Sequence, residues 1–308
     1  MSEQYPAQQD GVLVVYKPKG PSSGTCIGKI KRLGQKKIGH AGTLDPMAQG
    51  VLIVLLGQGT KLSGHLMSGG AKVYSGTIKL GETTDTWDAE GEIVATAPWD
   101  HITEADVLTE VGNWLGESEQ EVPSYSAAKH NGQALYKLAR QGKETPVKTK
   151  TINISHAEVL SFELPYVRFR VRCTSGTYIR SLAHSLGLRL RCGAVLTELI
   201  REYSHPFSMD EAHTLDAILE APHTLPEKVI PLEKALPEWP KIVLDEEMAK
   251  NVRNGMSVPY NPETIANMPF AVGISAMLLG PDHTPLALAE TQIVQRQPAW
   301  TIVRGLWQ

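Results

Sequence analysis

Residues 39–50 (Gly39-His40-Ala41-Gly42-Thr43-Leu44-Asp45-Pro46-Met47-Ala48-Gln49-Gly50) constrain this chain more than any other stretch. Three glycines and a proline in twelve residues argue against a regular helix or a central strand, so a shaped loop is expected. The apolar run at 51–56 that follows reads as a buried strand. A tight loop anchored on a core strand can hold one side chain rigidly at a cleft. Asp45 is the only acid in the loop and the first after Asp10. Between those two acids lie seven cations: Lys17, Lys19, Lys29, Lys31, Arg32, Lys36 and Lys37. A lone carboxylate behind a basic approach points to chemistry on a polyanion.

At 308 residues the chain has room for one large domain and a small one, each with its own core. With 42% hydrophobic and 20% charged residues it falls in the ordinary globular class, not the disordered one. No apolar run approaches the ~20 residues that span a bilayer, and none has signal-peptide form, so no membrane association is expected. Cys26, Cys173 and Cys192 are too few and too scattered for a disulfide framework or a zinc site. A reduced, cytoplasmic chain is expected.

The net charge of −3 argues against a nucleic-acid binder, but its distribution does not. Residues 80–128 hold twelve acids and no Lys or Arg, whereas 125–150 hold six cations against one acid. Residues 166–203 hold seven arginines against two glutamates. Chance clustering of solvated charge is the plain alternative to a molecule with one basic and one acidic face.

Strands are expected at 11–16, 73–80 and 166–173, where apolar positions alternate or run on. Helices are expected near 22–33, at 103–115, at 132–140 and at 179–191, with the 103–115 helix facing away from any RNA. The composition shift near 231–241, with Pro231, Pro237, Trp239 and Pro240, suggests a linker, and the short apolar runs beyond it fit a small β-barrel.

Each candidate residue has a plain reading beside the functional one. Asp45 before Pro46 is either a turn-capping aspartate or a nucleophile or base on a rigid loop. Arg180 is either a surface helix arginine or the partner of Asp45, which a bidentate pair would hold in place. Tyr74 is a core strand residue or a stacking platform for an extruded base. His40 is more simply a loop histidine than a ligand, and no partner stands at metal spacing. Phosphate-cradle, dinucleotide and serine-hydrolase motifs are absent.

These residues resemble the bacterial tRNA pseudouridine synthase B family, the tRNA pseudouridine(55) synthases, nearly end to end. The matching motifs are Lys17-Pro18-Lys19-Gly20-Pro21-Ser22-Ser23, the 39–52 stretch, Lys72-Val73-Tyr74 with Gly81 and 83–91, Pro123 to Lys129 with Gly132, Tyr136, Ala139-Arg140 and Gly142, and Cys173 to Ala183. The resemblance implies an α+β fold: a catalytic domain on a mixed, largely antiparallel sheet at 1–236, then a small PUA-like RNA-binding domain at 237–308. It implies isomerisation of a T-loop uridine in tRNA with Asp45, Tyr74 and Arg180 as the catalytic set. Tyr178 and Leu199 would line the pocket, His40 would contact the flipped nucleotide or its neighbours, and Lys19 would support the active-site loop. Lys129, Lys137 and Arg140 would grip phosphates. No cofactor, metal or obligatory protein partner is implied. The chain departs from the family at Ser185, Ile200 and His205, where aspartate, arginine and glycine are usual. A T-loop RNA-binding or RNA-folding protein is the rival from another class. The catalytic subunit of a guide-RNA particle is disfavoured by the lack of long basic tails and by the short C-terminal domain.

Overall fold

The computed structural model describes residues 5–265 and 269–307. The 51–56 run lies in β3 (Ala48–Leu56), an interior strand of a ten-stranded mixed sheet. β1 (Gly11–Lys17) pairs antiparallel with β3 along its whole length. The opposite edge of β3 is shared. β2 (Ile38–Ala41) pairs antiparallel with its C-terminal half, and the strand Ala194–Ser204 pairs parallel with its first three residues. The chain between β2 and β3 leaves the sheet where that edge changes partner. Such a change of partner opens a crevice at the strand ends.

The sheet continues from Ala194–Ser204 through β4 (Ala71–Leu80) to Tyr166–Thr174, Thr149–Glu163 and Gly116–Glu121. In Tyr166–Thr174 the alternation holds: Val167, Phe169, Val171 and Cys173 are buried, and Arg168, Arg170 and Arg172 take the other face. β3 does not alternate, because both its faces are covered. Leu52, Val54 and Leu56 join the core under the helices. Val51, Ile53 and Leu55 join a second core with Leu232, Leu236, Met277, Leu279 and Leu288. The residues expected to form a linker are therefore packed, since Leu232, Ala235 and Leu236 insert beneath the sheet. Beyond them, five strands between Lys241 and Gly305 form the curled half-barrel of a PUA-like unit.

Several boundaries are narrower than expected. The 39–50 stretch is loop only at 42–47, because its ends join β2 and β3. The helix α1 (Ser23–Lys31) starts at the cap Ser22, which accepts from the Thr25 amide. The acidic helix runs over Glu104–Gly112 with a Thr103–Asp106 capping box, and Leu108 and Leu115 stay exposed. The 132–140 helix is only Leu135–Arg140. Before it, Lys129–His130 and Gln133–Ala134 form a hairpin turned at Asn131-Gly132, both with positive φ, the type of dipeptide such a turn favours.

Candidate active site

Asp45 sits at the rim of a cavity of about 530 Å³ that is also lined by Lys72, Tyr74, Tyr178, Arg180, Leu199 and Arg201. Five of the sequence-derived residues thus meet in one place. His40, Lys19, Lys129, Lys137 and Arg140 do not line it. His40 bonds Thr43 at 3.1 Å just behind the loop. Lys19 is exposed, and Lys129, Lys137 and Arg140 lie exposed on the 129–140 insert.

The loop is clamped from three sides. Ser23, the first residue of α1, exchanges two 2.9 Å hydrogen bonds with the backbone of Leu44. Lys17 is fully buried, and its ammonium donates to the carbonyls of Pro18, Pro46 and Ala48. The role expected of Lys19 falls to Lys17, because the last residue of β1 turns inward and the loop carbonyls converge on it. Arg201, on the strand beside β3, donates to the carbonyls of Val51 (2.7 Å) and Gly42 (2.8 Å). Gly50 permits this approach, since its φ is +101° and a Cβ there would lie 2.3 Å from the Arg201 carbonyl oxygen.

Arg180 enters from the first turn of the helix Ile179–Arg189. Its Nε stands 2.9 Å from Asp45 Oδ2 and 3.6 Å from Asp88 Oδ2. Its terminal nitrogens donate to the carbonyls of Thr86 (2.9 Å) and Tyr125 (3.0 Å), so the pair with Asp45 is made through Nε and is not bidentate. The arginine side chain is 5% exposed, whereas that of Asp45 is 37% exposed. The geometry leaves a positioned carboxylate facing the cavity with its counter-charge buried behind it. The helix start is itself fixed: Gln120 donates to the Tyr178 carbonyl and accepts from its amide, and Ser181 donates to the Glu121 carbonyl.

Asp88 is one of the twelve acids of residues 80–128, and the structure buries it. It accepts from Thr86 Oγ1 (2.6 Å) and the Glu90 amide (3.1 Å), while Trp87 stacks on His184 with centroids 4.3 Å apart. Burial pushes the Asp88 carboxyl above the usual aspartate range, against the pull of Thr86 and Arg180. Charge counting could not separate Asp88 from its exposed neighbours. The adjacent tryptophan, able to anchor the loop on the helix, was the available signal. Burial also raises the Tyr74 hydroxyl, and the charge of Asp45 adds to that rise. The Lys72 ammonium is lowered to about 8, chiefly by burial and then by Arg201.

The arginine-rich 166–203 segment is not a free phosphate surface. Arg180 and Arg201 are buried, Arg170 pairs with Glu202 and Glu158, and Arg189 pairs with Glu110. Arg168, Arg172 and Arg191 remain exposed. Of the departures from the family pattern, His205 bonds Tyr203 and pairs with Glu238 beyond the cavity, and Ile200 is the half-buried neighbour of Leu199.

Residues 30–179 match the family model of the TruB family pseudouridylate synthase N-terminal domain. The tRNA pseudouridine synthase B of Nitratidesulfovibrio vulgaris is 67% identical over 302 residues, 98% of each chain. The chain belongs to the tRNA pseudouridine synthase B family. The enzyme of that name from Oleidesulfovibrio alaskensis is likewise 67% identical, covering all of this chain and 99% of its own. Among solved structures, a Cbf5-Nop10-Gar1 complex contains a chain that superposes with a TM-score of 0.72 at 26% identity, covering 97% of this chain and 85% of that one. Family membership makes the chain an isomerase that forms pseudouridine.

Proposed function

We propose that this member of the family converts a uridine in the T loop of tRNA, at position 55, to pseudouridine, with Asp45 as nucleophile on a flipped-out nucleotide. The observation that carries the reading is the Asp45–Arg180 pair at 2.9 Å, set in a cavity that Tyr74 also lines. The relatives' names supply tRNA as the substrate.

The chemistry requires the target base outside its stack, which costs a few kcal/mol. Stacking on Tyr74 returns ~1–3 kcal/mol of that. Asp45 is exposed enough to reach the nucleotide, while Arg180 is too buried to do more than hold Asp45. Tyr178 and Leu199 wall the pocket, and His40, behind the loop, meets the flipped nucleotide or its neighbours. Lys129, Lys137 and Arg140 on the insert, with Lys19, take phosphates. Residues 237–308 act as a second RNA-gripping unit beside the catalytic domain of residues 1–236. Uridine and pseudouridine are isomers, so no redox equivalent or group donor enters the reaction.

The rival, a T-loop binder whose work is not catalytic, has no use for a carboxylate held against a buried arginine. The two readings separate when the purified protein alone is incubated with a uridine-containing T stem-loop and pseudouridine is assayed. Stoichiometric binding without product would replace this proposal with the rival.

A further inference from the structure

Lys72 lines the cavity but has no part in the reading above. It stands two residues before Tyr74 on β4, so the strand's period puts the two side chains on one face. Only 7% of Lys72 is exposed. Its ammonium lies under the Asp45 loop, since a Cβ built on Gly42 would sit 3.3 Å from Lys72 Nζ and 3.3 Å from Arg201 Nη1. The two cations differ in one respect. Arg201 is satisfied by the carbonyls of Val51 and Gly42. No described residue gives the Lys72 ammonium a hydrogen bond or an ion pair.

The groups that bear on it are Arg201 from Ala194–Ser204, Cys173 from Tyr166–Thr174 and Lys150 from Thr149–Glu163. Two of the three are cations, and Cys173 is itself held as a neutral thiol, burial raising it to about 11. The Lys72 stem is buried while its ammonium opens onto the cavity, and an ammonium so largely desolvated without a counter-charge is unfavourable. The arrangement calls for an anionic partner that arrives with the substrate.

Isomerisation creates that partner. When the Asp45 carboxylate adds to C1′ and the C1′–N1 bond breaks, the electron pair of that bond stays with the ring, and uracil becomes a monoanion with charge on N1 and both carbonyl oxygens. Attack of C5 on C1′ then consumes that pair and breaks the C1′–Asp45 bond, which returns the carboxylate. The proton on C5 leaves and N1 gains one, so atoms and electrons balance without a co-reactant. If Asp45 first adds to C6 of the base instead, the displaced pair forms an enolate at O4. Both routes load a ring oxygen with negative charge. We propose that Lys72 is a further catalytic residue, its ammonium bonding a carbonyl oxygen of the extruded uracil and stabilising the charge that grows there. The inference rests on the pseudouridine-forming reading of the cavity and deepens it.

The test is a single-turnover measurement on a T stem-loop with enzyme in excess, paired with filter binding of the same RNA. Lys72→Met should slow turnover about 100-fold, the effect of removing one preorganised charge donor, and leave affinity within about threefold. Turnover within about threefold of wild type overturns the proposal. So does a loss confined to affinity, which would make Lys72 a phosphate contact. In wild type, kcat/KM, which reports the free enzyme, should fall as pH rises through about 8 because the ammonium is lost. Lys72→Met should lack that limb. If circular dichroism shows Lys72→Met unfolded, Lys72→Gln and the wild-type profile decide, and a wild-type profile flat across that range overturns the proposal. A wild-type protein that makes no pseudouridine overturns the underlying reading itself, a result distinct from a slow variant of an active enzyme.

Discussion

Arg180 Nε lies 3.6 Å from Asp88 Oδ2, and the two side chains are only 5% and 6% exposed. One buried guanidinium therefore faces two carboxylates, Asp88 behind it and Asp45 at the cavity. The second pairing makes Asp88 a positioning residue for Arg180.

Asp88→Asn removes the charge while its remaining amide oxygen can still accept from Thr86 and the Glu90 amide. Burial holds the native carboxyl above the ordinary aspartate value of about 3.9, so the native state binds its proton more tightly than the unfolded chain does. That contribution favours folding at low pH and is lost as pH rises above the ordinary value. The Tm of Asp88→Asn relative to wild type should therefore climb as pH is raised above the ordinary aspartate value, through the range in which the native carboxyl still holds its proton. Turnover should fall about tenfold as Arg180 loses one of its two carboxylates. A Tm difference independent of pH would remove the burial argument.

Asp45→Asn keeps the shape of the loop, because Ser23, Lys17 and Arg201 clamp it through the backbone and not through the Asp45 side chain. RNA affinity should stay within a few-fold of wild type. The single-turnover rate should drop by about 10⁴-fold or more, the scale of removing a nucleophile. An Asn variant that turns over at the wild-type rate would falsify the nucleophile assignment.

Much of this site is legible in the chain before any fold is known, and what escapes has a common physical cause. Asp45, Tyr74 and Arg180 stand out through local signals: a glycine-rich loop, an alternating strand and a helix start after a turn. Asp88, Lys17 and Arg201 lie in charge-rich segments and look like solvated charges, yet all three are buried. Their burial follows from long-range register, such as Arg201 opposite Gly50 in the parallel pairing, and a one-dimensional charge count carries none of it. The same limit explains the apparent linker. Leu232 and Leu236 look like loop residues until the second face of β3 is seen to need a cover. The hairpin at 129–134 is a different case, because Asn131-Gly132 is a local turn signal that helix periodicity at 135–140 overshadowed.

Gly50 offers a test of that register. A methyl group there would meet the Arg201 carbonyl at 2.3 Å, with φ at +101°. Gly50→Ala should lower stability by about 3 kcal/mol or more, the range reached when steric overlap and backbone strain act together. Gly132 also has positive φ, at +82°, but no atom of the described residues lies within 4 Å of a Cβ there. Gly132→Ala should cost only the left-handed backbone term, ~1–2 kcal/mol. Urea unfolding of both variants should reproduce that order, and equal losses would contradict the close approach of Arg201 to β3.

The cations divide into free and committed ones, and RNA binding should tell them apart. Lys129, Lys137 and Arg140 are exposed on the insert, and Arg140 makes a loose stacking contact, 5.6 Å above the Tyr136 ring. Each phosphate they neutralise releases counterions, so replacing all three with alanine should flatten the slope of log affinity against log salt by about 2. Arg170 belongs to a segment with as large a positive excess, but it is bound to Glu202 through two nitrogens at 3.0 and 3.2 Å. Arg170→Ala should leave the slope unchanged, because a guanidinium already neutralised by a carboxylate releases no counterion when RNA arrives. If Arg170→Ala flattened the slope as much as the triple variant, the RNA would run along the Arg168–Arg170–Arg172 face of the sheet and not over the 129–140 insert.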